Sequence, residues 1–213
     1  MSFSNKISRL PRAFSEDIAH EVGVLAPFAT GETRKLLEGA IGSSPYLHGL
    51  LAKEATWLET ALDAPDAALK SLYAELPTED VKALPDALRQ AKRRVALLTA
   101  LADLGGVWSL LTVTQALSDF ADLASDVAVK AMISQEIQRG KLPGATQDDV
   151  ENAGGLVCLA MGKMGAGELN YSSDIDLICL FDETRYDPDD YLTARSALVR
   201  ATRKAMAMLS DLT

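Results

Sequence analysis

The amino-acid sequence predicts an α+β fold, predominantly α-helical, with a helical N-terminal region leading into the first part of a sheet-and-helix domain. Three observations predict it. Apolar residues recur at three and four through most of the first 140 positions, the period of amphipathic helices. Two short apolar runs, Leu156 to Met161 and Leu177 to Phe181, have strand length. A glycine-rich segment holding Gly162, Gly165 and Gly167 separates them and stops the first run abruptly. The reading divides the chain into a helical region at 1–140, a Gly, Pro, Asn and Asp-rich linker at 141–153, and residues 154–213 as the start of the second domain.

The elements follow in order. Residues 1–11 read as a frayed start. From Arg12 to Ala29, the spacing of Phe14, Ile18, Val22, Leu25 and Phe28 predicts one amphipathic helix, with His20 on its outer side. Ser44 and Pro45 form an N-cap and first-turn pair for a helix carrying Leu47, Leu50, Leu51, Leu58 and Leu62 inward. A short helix spans Asp66 to Leu76. Thr78-Glu79-Asp80 caps the next, which Pro85 restarts, and its stripe is Leu88, Val95, Leu98, Leu101 and Leu104. Arg89, Lys92, Arg93 and Arg94 cluster at its beginning, and spacing alone makes them a solvated face. Gly105-Gly106 ends it, and Ser109 to Gln138 forms another long helix with Leu110, Val113, Leu117, Phe120 and Val127 inward, closed by Gly140. A last helix covers Asp189 to Leu209.

Composition bounds the function. The 213 residues are 48% hydrophobic and 24% charged, as in an ordinary globular protein, and the net charge of −9 disfavours a general binder of nucleic-acid backbones. No apolar stretch is long enough for a membrane span, and the first residues lack the apolar core of a signal peptide, so a cytoplasmic protein is expected. The two cysteines, Cys158 and Cys179, fall in the two strands and read as small core residues with free thiols. With only two histidines, His20 and His48, both in helices, a histidine-based metal site or catalytic triad has little to draw on.

The chemistry concentrates between the strands. Strand residues two apart point the same way, about 6.6 Å apart along the chain, so Asp174 and Asp176 are expected to share a strand face. Two carboxylates without histidine or thiolate make a hard oxygen site, suited to Mg²⁺ or Mn²⁺ and through them to phosphates. A short helix at Met164 to Leu169 is expected to aim its free N–H groups at the turn, with Lys163 adding a mobile positive charge. Gly162, Lys163 and Gly165 thus form a phosphate cradle beside a metal clamp. A P-loop is excluded because Lys163 is followed by Met164, and a dinucleotide fingerprint because the glycine spacing is reversed.

The order "hydrophobic, Gly, small or polar, about ten residues, Asp-hydrophobic-Asp" resembles the signature of the DNA polymerase beta-like nucleotidyltransferase superfamily, with Lys163 where Ser or Gly is more usual. The sixteen-residue string Gly162-Lys163-Met164-Gly165-Ala166-Gly167-Glu168-Leu169-Asn170-Tyr171-Ser172-Ser173-Asp174-Ile175-Asp176-Leu177 is similar to one family within it, the bifunctional glutamine synthetase adenylyltransferase/adenylyl-removing enzymes. An Arg-rich helix followed by Ala116-Leu117-Ser118-Asp119-Phe120-Ala121-Asp122-Leu123 resembles the segment preceding the motif there, which would turn the basic cluster towards phosphate or a partner.

The resemblance implies an N-terminal, adenylyl-removing half, truncated before the strand that carries a third carboxylate. It implies phosphorolysis of an adenylylated tyrosine of glutamine synthetase to give ADP. Asp174 and Asp176 would act as metal ligands and catalytic residues, and Gly162, Lys163, Gly165, Ser172 and Ser173 as nucleotide and phosphate contacts. A PII-type signalling protein would be a second partner. Two alternatives stand beside this reading: a small nucleotidyltransferase acting on a small molecule or RNA, and a non-catalytic regulatory fragment.

Overall fold

The computed structural model describes residues 3–210. Its helices are α1 (Phe3–Lys6), α2 (Glu16–His20), α3 (Val22–Leu25), α4 (Gly31–Ile41), α5 (Pro45–Ala61), α6 (Pro65–Ala74), α7 (Leu84–Leu104) and α8 (Leu110–Gln138). After two 3-10 turns come strand β1 (Leu156–Ala160), the single-turn helix α9 (Gly162–Gly165), strand β2 (Leu177–Phe181) and helix α10 (Tyr191–Ser210). The fold is α+β and predominantly helical. It divides into two compact units, one holding the chain up to Glu75 with Gln90–Leu117, the other Leu76–Arg89 with the chain from Ser118 onward.

In the first unit the largest fully buried side chains are Leu36, Leu37 and Ile41 of α4, Leu51 and Leu58 of α5, and Leu97, Leu98 and Leu101 of α7. Within α4 and α7 the sets recur at three or four and in α5 at seven, spacings that put one helix face on a common core. The cap expected for α5 is present, since Ser44 Oγ accepts from Leu47 N–H at 3.2 Å and Pro45 occupies the first turn.

Two expectations are corrected here. Residues 12–29 do not form one helix. Ser15 caps α2 by accepting from Ile18 N–H, Glu21 breaks the run before α3, and Phe14, expected inward, is 94% exposed. Residues near the start are held in place: Phe3 is buried, and the N–H groups of Ser8 and Arg9 donate to Gly105 O at 2.8 and 3.1 Å. α4 went without a prediction, although Leu36, Leu37, Ala40 and Ile41 carry the helical spacing.

The basic cluster is consumed internally. Glu54 of α5, only 3% exposed, accepts from Arg93 Nε at 2.7 Å and from Arg94 Nε at 2.9 Å. Arg94 also lies over the Trp57 ring, 5.3 Å from its centroid, and Arg89 pairs with Asp86 at 3.0 Å. Burial lowers the pKa of Lys92. The row is therefore neither a solvated face nor a free phosphate patch.

In the second unit, α10 buries Ala194, Ala197, Leu198, Ala201 and Ala205, a stripe of mostly small residues that allows close helix approach. Glu136 of α8 accepts from Arg200 Nη2 at 3.0 Å and Lys204 Nζ at 3.1 Å of α10. β1 and β2 pair antiparallel, Leu156 opposite Phe181 through Ala160 opposite Leu177, which sets Cys158 directly against Cys179. One face of this ribbon is half-buried, whereas Val157, Leu159, Ile178 and Leu180 project from the other and are exposed. Among the described residues, no helix is long and apolar enough to cross a membrane.

Candidate functional site: the glycine turn and the paired aspartates

The turn is built from the end of β1. Met161 N–H donates to Asp176 O at 2.9 Å, which ties the last residue before the glycines to the last before β2. Gly162 then takes φ +55°, a left-handed conformation that a side chain strains, and opens α9. A Cβ at Gly162 would stand 3.8 Å from Asp176 Oδ2, so bare backbone faces that carboxylate across the turn. Gly165 has a different reason to lack a side chain: a Cβ there would lie 2.4 Å from Ala160 O.

The short helix expected at Met164 to Leu169 begins and ends earlier. Gly165 N–H donates to Met161 O, Ala166 N–H to Gly162 O and Gly167 N–H to Met164 O, and Gly167 at φ +70° closes the turn. The N–H groups of Gly162, Lys163 and Met164 precede the first of these bonds. Met164 is buried and anchors the turn from below. Leu169, buried too, donates its N–H to Ser118 Oγ of α8 at 3.2 Å, which fixes where the next loop begins. In the sequence Ser118 stands only as part of the preceding helix. Its buried hydroxyl is a position that periodicity treats as core and nothing more.

Asn170 organises that loop. Its Oδ1 accepts from Ser173 Oγ at 2.8 Å, from Ser172 N–H at 3.2 Å and from Ser172 Oγ at 3.4 Å, while its own N–H donates to Ser173 Oγ. Both serine hydroxyls are thus turned inward on the loop. Asp174 and Asp176 follow, both exposed, and the strand begins only at Leu177. The premise of a shared strand face is corrected accordingly: Asp176 lies one residue before the ladder, Asp174 three before it in irregular chain. Lys163 is exposed beside the turn. Among the described residues, no three His, Cys, Asp or Glu side chains come together as a metal cluster. The two exposed carboxylates offer oxygen donors of the kind a hard divalent cation takes, whereas the free N–H groups of the turn suit an anion such as phosphate.

The cysteines sit next to this site on the ribbon, their sulfurs 3.5 Å apart and unbonded. Burial, then the Cys179 thiol, then the Asp126 carboxylate push the Cys158 thiol up to about 12. It is therefore a protonated, unreactive thiol at neutral pH. Beyond β2, Asp182 caps a 3-10 turn by accepting from Thr184 N–H and Oγ1, and those bonds hold its pKa below the usual carboxylate range. This bonding occupies Asp182 and leaves it outside the pair.

The described residues thus combine a helix-rich α+β fold with a glycine turn set against an Asp-x-Asp segment. Comparison with known proteins makes it specific. The family model described as glutamate-ammonia ligase adenylyltransferase matches residues 34–213, and the chain belongs to that family. It is similar to the bifunctional glutamine synthetase adenylyltransferase/adenylyl-removing enzymes of Bradyrhizobium sp. strain BTAi1, 41% identical over 88% of this chain and 20% of the relative, and of Xanthobacter autotrophicus strain Py2, 36% identical over 88% and 19%. A Rhodopseudomonas palustris enzyme of the same description is 41% identical over 68% of this chain and 15% of its own length. The chain spans about one fifth of the length of the curated relatives it matches most fully. No solved structure matches it.

Proposed function

We propose that this chain carries the first catalytic motif of an adenylyl-removing domain, which takes AMP from a modified tyrosine of glutamine synthetase. The observation that supports this most is the turn in which bare Gly162 backbone faces the Asp176 carboxylate. An anionic phosphate can approach amide groups there without meeting a side chain, while the carboxylates are open to a cation.

The reaction is phosphorolysis. An oxygen of inorganic phosphate attacks the AMP phosphorus, the bond to the tyrosine oxygen breaks, the tyrosine regains a proton, and ADP leaves. Asp174 and Asp176 would hold Mg²⁺ or Mn²⁺, which when bound supplies the positive charge that phosphate oxygens need. Lys163 neutralises a further phosphate oxygen from the open side of the turn, and the Gly162 and Lys163 N–H groups orient it. Gly165 lets the turn pack down on Ala160, so those groups keep their position. Ser172, on the longer bond to Asn170, is the hydroxyl that turns to phosphate, while Ser173 stays on Asn170 and keeps the bend. Glutamine synthetase and a PII-type signalling protein are the partners of this reading, ADP and ATP its nucleotides, and the cytoplasm its compartment.

A second reading, a regulatory segment without catalysis, is favoured by the lack of a third acidic group beside the pair among the described residues. Calorimetric titration of ADP with Mn²⁺ separates the two. The catalytic reading expects metal-dependent binding that falls about tenfold or more in Asp174→Ala, because one of the two carboxylates that would hold the cation is lost. Equal binding with and without metal, or an unaffected variant, would favour the regulatory reading.

A further inference from the structure

We infer a second anion site, for a phosphoryl group, in the groove between the C-terminal end of α8 and the Leu192–Lys204 stretch of α10. This open groove of about 540 Å³ is lined by Glu136, Arg139, Lys141, Leu192, Arg200 and Lys204, and it shares no residue with the turn between β1 and β2. Its volume falls within the range of small-ligand sites. Four cations against one carboxylate leave a local charge of +3 in a chain whose net charge is −9.

Glu136 makes this more than a basic patch. It is 1% exposed, and its two oxygens hold Arg200 through Nε at 3.3 Å and Nη2 at 3.0 Å, Lys204 through Nζ at 3.1 Å, and Arg139 through Nη1 at 3.8 Å. Burial opposes its charge, but hydrogen bonds from Arg200 and Lys204 outweigh that and hold the carboxyl below its ordinary range. A long basic side chain ordinarily loses rotamer freedom when it grips an anion. Here the buried carboxylate has already ordered the cations, and their outer donors remain open, because Arg200, Lys204 and Arg139 are 46%, 40% and 55% exposed. Lys141 forms no ion pair among the described residues and also lines the groove. Guanidinium forks match the paired oxygens of a phosphoryl group, and +3 suits a compact di- or trianion. Leu192, 72% exposed, gives an apolar ledge beside it.

The test uses the 213-residue chain in low salt with EDTA, so that no divalent cation supports binding at Asp174 and Asp176. Inorganic phosphate, pyrophosphate and ADP are titrated separately by calorimetry. Saturable binding is expected, weakened about tenfold or more in the Arg139→Ala, Lys141→Ala double variant and unchanged in Asp174→Ala. Both altered side chains are exposed, so circular dichroism should report an intact fold; Lys141→Glu provides an independent variant with the same expected loss. Binding of phosphate or pyrophosphate identifies the free phosphoryl anion as sufficient. Binding of ADP alone identifies a nucleotide phosphate that also needs the Leu192 ledge. Failure of all three anions to bind, or binding indifferent to the basic variants, overturns the inference.

Discussion

At the scale of single residues, two positions carry effects that local sequence does not announce. Gly165 looks like one glycine among several, yet its missing Cβ is what allows α9 to lie against Ala160 O. Gly165→Ala is expected to cost about 1–3 kcal/mol, the range for forced overpacking, read as a lower urea midpoint. Glu136 is a charge in an apolar helix stripe. Its carboxyl is held below the ordinary value of 4.5, so the native state gives up the proton more readily than the unfolded chain. That stabilisation is complete above the unfolded value and is lost as pH falls below 4.5 through the folded value. The stability gap between the parent chain and Glu136→Gln should therefore be widest near neutrality and narrow in acid. A gap that stays constant from pH 7 to pH 3 would falsify this assignment.

At the scale of elements, structure is legible in the sequence where one local rule acts alone. Ser44-Pro45 set the start of α5, Gly105-Gly106 ended α7, and the two apolar runs gave both strands to the residue except that β1 stops at Ala160. It is not legible where distant groups decide. Phe14 fits a helical stripe, but Ser15, the next residue, caps the helix that starts at Glu16 and leaves that ring in solvent. The Arg93 and Arg94 pair could not be matched to Glu54 because 39 and 40 residues separate them. For the candidate site, residue identities were legible in the motif, whereas the Asn170 bend and the Ser118 anchor depend on hydrogen bonds that spacing does not encode. The α5–α7 linkage makes a test. Glu54→Leu strands two guanidinium groups that are partly exposed, 32% and 20%, so a loss of about 2–3 kcal/mol is expected, below the full cost for a wholly buried pair. Adding Arg93→Met and Arg94→Met should return most of it, measured by the same urea midpoints.

At the scale of the whole molecule, the catalytic reading predicts that Asp174→Asn or Asp176→Asn, placed in a full-length enzyme carrying this sequence, suppresses ADP release from adenylylated glutamine synthetase about 100-fold or more. Unchanged melting of the same variants would place the loss in chemistry and not in folding. The ribbon of β1 and β2 has a further consequence for the chain as a colloid. Val157, Leu159, Ile178 and Leu180 offer water an aliphatic surface, and what keeps two such surfaces apart in dilute buffer is mutual repulsion between molecules of charge −9. Added salt shortens the reach of that repulsion, and acidification towards the isoelectric point near 4.7 removes it. Light scattering from concentrated samples should therefore rise with ionic strength and again below pH 5, and Leu159→Lys, which sets a like charge on the surface itself, should leave the solution clear.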